Sequence, residues 1–350
     1  STPEGKRGMS YGGVDYDIKS IYAKLGKLTD TRKSRGKRYS LKTIMTIILL
    51  AKLSGENTIV EIADWGKNHL EELVDLMGLE RKSMPHHNTY RRILANVVCL
   101  DEIERLVGEY NQQGAHGQSY AVDGKAVRGM TEKGVERHEY LLSVYDVEKG
   151  KTLAQRTVGR KENEITHIKP VLSKVEIDEK VITADALHTH RGLSAQILAQ
   201  NAEYIFPVKE NQPKLHRDIR FLFAPDEPSP GIGKTPTDFL QAKQVNKQHG
   251  RLEVRTITTS EMLNDYANWP GLAQVYQLER YFRWLRKGKV IRSSREVEFG
   301  ITSLSRKKAP AHDLLCLRRA HWGIETGSHY CRDVTFKEDA LRMTVGDTGK

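Results

Sequence analysis

The chain contains the sequence Tyr120-Ala-Val-Asp-Gly-Lys-Ala-Val-Arg-Gly-Met130, in which a short apolar run leads directly into a lone carboxylate, Asp123. A carboxylate after a buried strand, next to a glycine that lets a ligand approach, is typical of metal sites on α/β sheets. Asp-Gly is also a common turn pair, so the same residues are compatible with a strand that simply ends in a turn. Partners elsewhere in the chain have to decide between the two interpretations.

The composition narrows the class of protein. The 350 residues carry a formal net charge of +11, which favours a polyanionic partner such as nucleic acid. No apolar run approaches the roughly eighteen residues of a membrane span, and the polar N-terminus is unlike a secretory signal. Cys99, Cys316 and Cys331 have no metal-type spacing and suggest reduced thiols. We therefore expect a cytoplasmic protein with no membrane partner.

Helical periodicity dominates residues 32–115, after a segment over residues 1–31 that is expected to be loosely ordered apart from a short helix at Asp17–Leu25. Caps and apolar spacing predict five further helices. They are the helix from the cap Ser40 to Leu53, the helix that opens over Thr58–Trp65 with Thr58 and Glu61 as a capping box, His69–Met77, Pro85–Leu94 with Asn88 or Thr89 as N-cap, and Asp101–Tyr110.

Two basic features accompany these helices. The run from Arg32 to Arg38 contains no acid, and its Arg35, Lys37 and Arg38 are compatible with a solvated linker or with an arm on DNA phosphates. Arg91 and Arg92 lie early in one helix, where they suit contacts with DNA. A dimerisation or packing module is the alternative, but the adjacent basic arm favours a helical DNA-binding domain over residues 32–115.

From Ser119 onward the pattern changes to strands alternating with helices, which predicts a sheet of mixed direction and an α/β fold. The predicted strands are Tyr120–Val122, Glu139–Asp146, Thr152–Val158, Val181–Asp185 and Glu203–Lys209, with helices over Glu164–Leu172 and Arg191–Ala199.

A β-rich insertion is predicted over residues 210–305. It comprises a helix at Leu215–Phe223, a Pro- and Gly-rich loop over 224–238, and strands at Glu253–Thr259, Ala273–Trp284 and Val290–Ser303. Basic residues alternate there with Tyr281, Phe282 and Trp284, a composition that suits an unpaired base beside a DNA backbone or an ordinary exposed hairpin.

Three carboxylates could converge on one point. Asp123 and Asp185 each follow a predicted strand, and a final helix from Ala311 to about Cys331 places Glu325 on one face with Arg318 and His321. Adjacent parallel strands would bring the two aspartates together, and a helix across the sheet edge would add the glutamate. Such acids hold Mg²⁺, and two ions about 4 Å apart are typical of phosphoryl-transfer sites.

With these residues in place, the chain resembles DDE-type insertion-sequence transposases of the H-repeat-associated group, within the insertion-sequence-four superfamily. The resemblance covers roughly residues 35 to 343 and is specific because six blocks occur in order. The blocks are Ala-Val-Asp-Gly-Lys-Ala-Val-Arg-Gly, Val-Ile-Thr-Ala-Asp-Ala-Leu-His-Thr-His, Tyr-Ile-Phe-Pro-Val-Lys-Glu-Asn-Gln-Pro, Gln-His-Gly-Arg-Leu-Glu-Val-Arg, His-Trp-Gly-Ile-Glu and Asp-Val-Thr-Phe-Lys-Glu-Asp.

The resemblance implies a catalytic core of RNase H type, formed by residues 116–209 and by residues 306–350 with the helix that carries Glu325. It implies that Asp123, Asp185 and Glu325 are the catalytic, metal-binding acids. Two Mg²⁺ ions are the expected cofactor, with Mn²⁺ as a substitute. A further helical stretch is expected after Lys350.

The resemblance also implies residues that contact DNA. The wider superfamily surrounds the glutamate with a tyrosine, an arginine and a lysine that hold phosphates, and here those offsets carry Arg318, His321 and Arg332. Trp284 would stack a flipped base if a hairpin intermediate forms. Other residues in or beside the matching blocks are also expected near DNA: Lys125, Arg128, His188, Lys209, Asn211, Gln212, His249 and Arg251.

The activity implied is cut-and-paste transposition by an endonuclease that cleaves double-stranded DNA at inverted-repeat ends and joins the 3′-hydroxyls to target DNA. Coupled cutting of two ends implies a homodimer on paired ends, in the nucleoid of a bacterial cytoplasm. Two other functions stay open, a catalytically silent, domesticated transposase that only binds DNA and a stand-alone metal-dependent nuclease. Retention of all three acids argues against the silent form.

Overall fold

The computed structural model of the chain describes residues 8–11, 14–114, 117–127, 139–159, 164–224, 237–248, 250–286 and 289–338. Two of the expected DNA contacts, Arg128 and His249, and most of the predicted loop over 224–238 lie outside these residues.

The N-terminal part of the described chain consists of a two-stranded hairpin and six helices. The hairpin comprises β1 (Gly8–Tyr11) and β2 (Val14–Asp17), and the helices are α1 (Ile18–Leu25), α2 (Leu41–Leu53), α3 (Ile59–Asn68), α4 (Leu70–Met77), α5 (His87–Asn96) and α6 (Leu100–Gln112). All six predicted helices are confirmed, whereas the hairpin was not predicted. The helices share one apolar core around Ile44, Ile47, Tyr90, Ile93 and Leu106.

The N-caps of two helices were predicted correctly from the sequence, and that of a third was not. Ser40 caps α2, and Thr58 with Glu61 forms a complete capping box at the start of α3, both as predicted. The predicted caps of α5 are wrong, because the ring nitrogen of His86 accepts the backbone N–H of Asn88 and starts the helix earlier.

The rest of the described chain is organised around a nine-stranded mixed sheet with helices on it, which confirms the α/β class. Its strands are β3 (Ser119–Val127), β4 (Glu139–Asp146), β5 (Lys151–Val158), β6 (Val181–Ala184), β7 (Glu203–Val208), β8 (Leu240–Gln248), β9 (Arg251–Ser260), β10 (Gln274–Arg286) and β11 (Lys289–Thr302). The spatial order is β5-β4-β3-β6-β7-β11-β10-β9-β8. Neighbours β3, β6 and β7 run parallel, and the remaining pairs are antiparallel.

Helices cover both faces of this sheet. They are α7 (Glu164–Leu172), α8 (Arg191–Ala199), α9 (Pro213–Leu222) and α10 (Ala311–Ala320). On one face α7 and α9 bury Ile168 and Ile219 in a core with Phe206, and on the other face α10 buries Leu314 in a core with Ile205. Ile205 and Phe206 are consecutive residues of β7, so the alternation of side chains along one strand serves both layers.

The four strands of the predicted β-rich insertion extend the same sheet. β11 pairs with β7 in an antiparallel ladder that includes Phe299 opposite Val208, so the insertion is continuous with the strands before it. β8 was not predicted because its residues, Leu-Gln-Ala-Lys-Gln-Val-Asn-Lys-Gln, lack a clear apolar alternation. β8 forms one edge of the sheet, and lysines on an edge strand discourage pairing with another chain.

The helical part is attached to the other edge of the sheet through α6 and β5. The side-chain amide of Asn111 donates to the Thr152 carbonyl at 2.7 Å, and that of Gln112 donates to the Leu153 carbonyl at 3.1 Å. Gly108 allows the helix to approach this closely, because a Cβ at that position would lie 2.7 Å from the Leu153 carbonyl oxygen. The edge strand is therefore covered by a helix that also satisfies its carbonyls.

We expect Gly108→Ala to lower the free energy of unfolding by about 1–3 kcal/mol, although alanine is the better helix former, because α6 must move off the β5 backbone. Gly192→Ala on α8 is the matched control, since an added Cβ would meet the flexible end of the Lys169 side chain at 2.8 Å. That substitution should be neutral or stabilise by up to about 1 kcal/mol. Thermal unfolding of both variants tests this, and equal effects would contradict the packing at Gly108.

Candidate active site

Asp123 lies inside a strand and not at the end of one. β3 continues to Val127, and Asp123 faces Ser143 of β4. The turn interpretation is therefore wrong, and so is the expected strand end, because β4 provides backbone partners for the residues that follow Asp123. What ends here is the parallel ladder to β6, whose last pair is Val122 with Ala184.

Asp185 follows the same ladder on its other strand. It comes directly after Ala184, so the two aspartates leave the parallel ladder from neighbouring positions. The Asp185 carboxylate accepts the backbone N–H of His188 and thereby caps the short 3₁₀ turn Ala186–His188. About half of its side chain reaches solvent, at 47% exposure. The structure thus brings together the two acids that the sequence singled out.

Glu325 is exposed and begins a π-helical segment, Glu325–His329, which is followed by a second one, Cys331–Thr335. The predicted helix to about Cys331 is interrupted, because α10 ends at Ala320 and the chain is helical again only from residue 323, mostly with π-helical turns. Two glycines let this segment pack against β4 and the turn after it. A Cβ on Gly323 would collide with Val147, and a Cβ on Gly327 would collide with the hydroxyl of Tyr145. The segment therefore packs closely on β4 and the turn after it, and π-turns of this kind are frequent at functional sites.

The three carboxylates influence one another electrostatically. Burial, followed by repulsion from Asp185 and from Glu325, raises the pKa of Asp123 from 3.8 to about 7. The hydrogen bond from the Gly124 backbone N–H, at 2.9 Å, opposes this shift. A carboxyl group whose pKa is raised by burial and by neighbouring acids is a common feature of functional centres.

Two imidazoles flank the aspartates. His188 Nε2 lies 3.8 Å from Asp185 Oδ1, and His329 Nδ1 lies 3.7 Å from Asp123 Oδ2. Burial, with smaller contributions from Lys125 and Arg332, lowers the pKa of His329 to about 4, so this ring is neutral at pH 7. The sequence did not single out His329, because the π-helical segment brings it to Asp123 through a spacing that helical periodicity does not reveal.

The donor set suits a hard divalent cation, since Asp123, Asp185 and Glu325 offer oxygen ligands and their mutual repulsion is what a cation would offset. In the part of the chain that the structure describes, no group of three or more His, Cys, Asp or Glu side chains is compact enough to hold a metal as it stands. The three acids therefore suit a divalent cation by their oxygen ligands and their negative charge, but their side chains do not form a closed coordination site.

Three of the expected phosphate contacts have partners within the chain. Buried Arg318 donates to the Glu298 carboxylate from Nε at 2.7 Å and from Nη2 at 3.1 Å. His321 Nδ1 lies 2.9 Å from the hydroxyl of Thr183, and Arg332 pairs with Glu338. None of these pairings was predicted, because none follows a helical or strand spacing that could be recognised in the sequence.

Other residues that were expected to contact DNA form ion pairs or hydrogen bonds with segments around the site. Lys125 is buried, with its Nζ 2.6 Å from Asp333 and 3.6 Å from Glu338. The side-chain amide of Asn211 donates to the Ala186 carbonyl at 2.6 Å, and that of Gln212 donates to the Thr189 carbonyl at 3.0 Å. These two amides fix the turn that follows Asp185. Of the other two expected contacts near this turn, Lys209 is exposed and His188 is fully buried.

Arg251 and Trp284 line a groove of about 870 Å³ between β8–β11 and α10. Cations and aromatic rings face each other in it, with the Arg292 guanidinium 4.8 Å from the Trp284 ring centre and that of Arg280 4.9 Å from the Trp322 ring centre. Six arginines line the groove against three glutamates: Arg251, Arg255, Arg280, Arg292, Arg318 and Arg319 face Glu253, Glu296 and Glu298. The groove therefore carries a net positive charge, which its three glutamates reduce.

The remaining expected DNA contacts lie on the surface of the helical part. Arg35, Lys37 and Arg38 are exposed in the segment before α2, and Arg91 and Arg92 are exposed on α5. Among the helices that the structure describes, none is long and apolar enough to cross a membrane.

Sequence comparison identifies the class. A family profile described as "Transposase DDE domain" matches residues 114–347, and one described as "DDE_Tnp_1-associated" matches residues 22–110. The chain belongs to the DDE transposase family.

Its relatives include proteins of the expected group. "Putative transposase YncI" of Escherichia coli O157:H7 is 27% identical, over 95% of this chain and 84% of that protein. "H repeat-associated putative transposase YhhI" of Escherichia coli (strain K12) is 22% identical, over 95% of this chain and 87% of that protein. The resemblance to H-repeat-associated transposases is thereby confirmed. A structure of the piggyBac transposase synaptic complex with hairpin DNA aligns with 95% of this chain and 68% of its own at 10% identity, but a TM-score of 0.38 does not establish a shared fold.

We expect Asp123→Asn to raise the free energy of unfolding by on the order of 2 kcal/mol at pH 8 in buffer that contains a chelator. The folded protein keeps the Asp123 proton up to about pH 7, whereas the unfolded chain loses it near 3.8. Wild-type stability therefore falls as the pH rises from about 4 to 7, and asparagine removes this loss.

Thermal melting of both proteins between pH 4 and pH 8 measures the effect, with Asp313→Asn on the exposed surface of α10 as the control. A gain for Asp123→Asn that was equally large at pH 4 would contradict the electrostatic cause.

Proposed function

We propose that the protein is a DNA transposase that cleaves phosphodiester bonds at the inverted-repeat ends of its insertion sequence and joins the freed 3′-hydroxyls to target DNA. One observation carries the proposal. Asp123 and Asp185 follow the last pair of one parallel ladder, with Glu325 near enough to raise the pKa of Asp123, in a chain of the DDE transposase family.

Asp123, Asp185 and Glu325 would hold divalent cations, Mg²⁺ or Mn²⁺. Bound as a pair, such cations activate the attacking oxygen and stabilise the leaving oxygen of an in-line displacement. The chain itself positions the ligands. Asn211 and Gln212 hold the turn after Asp185, and the close packing of Gly323 and Gly327 sets the height of Glu325 above β4.

The reaction has two phosphoryl transfers with no covalent bond to the enzyme. In the first, the oxygen of water attacks the phosphorus at the transposon end, the P–O3′ bond breaks, and the 3′-oxygen leaves as a hydroxyl. In the second, this 3′-hydroxyl attacks a phosphodiester of target DNA and displaces a target 3′-oxygen. Positioning of the two oxygens in line with the phosphorus is the main task of the protein in such reactions.

The strand order supports a core of RNase H type. Three consecutive antiparallel strands, β3 to β5, are followed by the parallel strands β6 and β7, each reached through a helix. We assign this core to residues 116–209 and 306–350, the β-rich insertion to residues 210–305 and a helical DNA-binding domain to residues 32–115, after the N-terminal segment 1–31.

DNA contacts are proposed for the exposed cations. Because Arg318, His321 and Arg332 are engaged with partners in the chain, the exposed Arg35, Lys37, Arg38, Arg91 and Arg92 are better placed to meet phosphates. Trp284 is the candidate platform for a flipped base in a hairpin intermediate, which requires the Arg292 guanidinium to leave its ring. Two such chains on paired ends form the proposed homodimer.

The proposed function predicts that the wild-type protein with Mg²⁺ or Mn²⁺ cuts a labelled DNA that carries its element ends and joins the products to a target plasmid. Asp185→Asn and Glu325→Gln should lower the cleavage rate at least about a hundredfold, as expected for removal of a group that stabilises the transition state. Both side chains reach solvent, so these variants should stay folded. The exposed acid Asp313, changed to Asn, is the control.

The products separate the competing functions. Binding without any cleavage by the wild type would identify a silent DNA-binding protein. Cleavage without joining would identify a nuclease. Equal product patterns from wild type and Asp185→Asn would show that the assigned acids are not catalytic.

The basic arm gives a second test. Changing Arg35, Lys37 and Arg38 together to alanine should weaken DNA binding and reduce the slope of log K against log salt by about 2–3, close to one counterion per phosphate contact. Lys67→Ala is the control, because Lys67 is exposed but already paired with Asp64 at 2.8 Å. Filter binding at several salt concentrations measures both. An unchanged slope would place the phosphate contacts elsewhere.

A further inference from the structure

We propose that His321 is a positioning residue, an imidazole that fixes the segment of Glu325 to the strand of Asp185 through the hydroxyl of Thr183. This inference rests on the proposed function, since it concerns the relative placement of two acids assigned there as metal ligands. It gives His321 a structural link in place of the phosphate contact that the sequence implied.

The contact joins distant parts of the chain. His321 Nδ1 and Thr183 Oγ1 lie 2.9 Å apart, both side chains are buried, and 138 residues separate them in sequence. Thr183 stands two residues before Asp185 on β6, and His321 stands four residues before Glu325. A buried hydrogen bond between them therefore holds the two acid-bearing segments in one arrangement.

The same hydroxyl extends to the first acid. Thr183 Oγ1 lies 3.4 Å from the carbonyl oxygen of Tyr120, three residues before Asp123 on β3. A threonine hydroxyl has one proton, so if it donates to this carbonyl, it accepts the Nδ1–H of His321. One side chain on β6 thus links the three segments that carry Asp123, Asp185 and Glu325.

The state of the imidazole fits this role. Burial, followed by the charge of Arg318 and by His188 and His329, lowers the pKa of His321 to about 3. A neutral ring has one N–H, which is enough for the hydrogen bond to the Thr183 hydroxyl. It carries no positive charge that could attract a phosphate. Arg318, one turn earlier in α10, is held by Glu298 and so supplies a fixed positive neighbour.

The position of His321 in the fold explains why one contact matters. It lies at the C-terminal end of α10, directly before the irregular stretch that leads into the π-helical segment of Glu325. The chain changes there from α-helical to π-helical turns, and a buried side-chain contact at this junction fixes the direction in which the segment of Glu325 leaves α10. Partners that orient metal ligands in this way typically contribute about 10–100-fold to metal affinity or activity.

Four variants test the proposal. Thr183→Val removes the hydroxyl at nearly constant volume, His321→Leu removes the ring nitrogens, and the double variant combines both. His321→Asn places an amide close to the position of Nδ1 and should rescue the contact. His312→Leu is the control, because His312 is an exposed imidazole on the same helix. Each protein is measured for single-turnover cleavage, for DNA affinity, and for Mn²⁺ affinity by calorimetry without DNA.

We expect Thr183→Val and His321→Leu each to lower the cleavage rate and the Mn²⁺ affinity about tenfold or more, with DNA affinity changed less than about twofold. The double variant should be no worse than the single ones, because both remove the same link. His321→Asn should stay within about threefold of wild type, and His312→Leu should not differ from it.

Three results would overturn the proposal. Weaker DNA binding with an unchanged rate at saturating DNA would make His321 a phosphate contact. Losses in the double variant equal to the product of the single losses would mean independent roles. Unchanged Mn²⁺ affinity in Thr183→Val would also overturn the proposal, and this result can be obtained even if His321→Leu fails to fold. If the wild type cut no DNA, the proposed function would fail, and Mn²⁺ binding by these variants would still decide the link.

Discussion

The parallel ladder between β3 and β6 determines where the chemistry of this protein can lie. Its last pair, Val122 with Ala184, forces the next residue of each strand, Asp123 and Asp185, to leave the ladder side by side. Apolar residues on both strands bury the ladder, so this register cannot shift without turning core side chains toward the wrong layer. Two carboxylates are thereby held together, and burial, followed by repulsion from Asp185, raises the pKa of Asp123. The glutamate comes from a segment far along the chain, which two glycines bring close to β4.

Several cations near this centre form ion pairs with acidic residues of the same chain. Lys125 pairs with Asp333, Arg332 with Glu338, and Arg318 with Glu298. Buried pairs of this kind are sensitive to the removal of one partner, because the other is left as an uncompensated charge. The remaining basic charge lies on the arm before α2, on α5 and on the other arginines of the groove that Arg318 also lines. Under the proposed function, the cations that would contact DNA differ from those that pair with acids around Asp123.

Local signals were enough to predict most elements from the sequence. The capping box at Thr58 and the alternation in β4 and β5 involve neighbours within a few residues, and both were found. Elements that depend on distant partners were missed. β3 runs past Asp123-Gly124 because β4 pairs with it, and the polar β8 is a strand because β9 lies beside it. The two aspartates could be selected because each follows a short apolar run, and Glu325 because it shares a helix face with Arg318 and His321, whereas the Thr183–His321 contact follows from the fold alone.

The central claim is that Asp123, Asp185 and Glu325 form one metal centre, and crystals soaked in Mn²⁺ test it most directly. Anomalous scattering locates manganese without reference to activity or to DNA. The claim predicts anomalous peaks within coordination distance of carboxylate oxygens from all three residues, and their loss in Asp185→Asn. Peaks that leave out Glu325, or manganese bound at another group of acids with this site empty at saturating Mn²⁺, would contradict it.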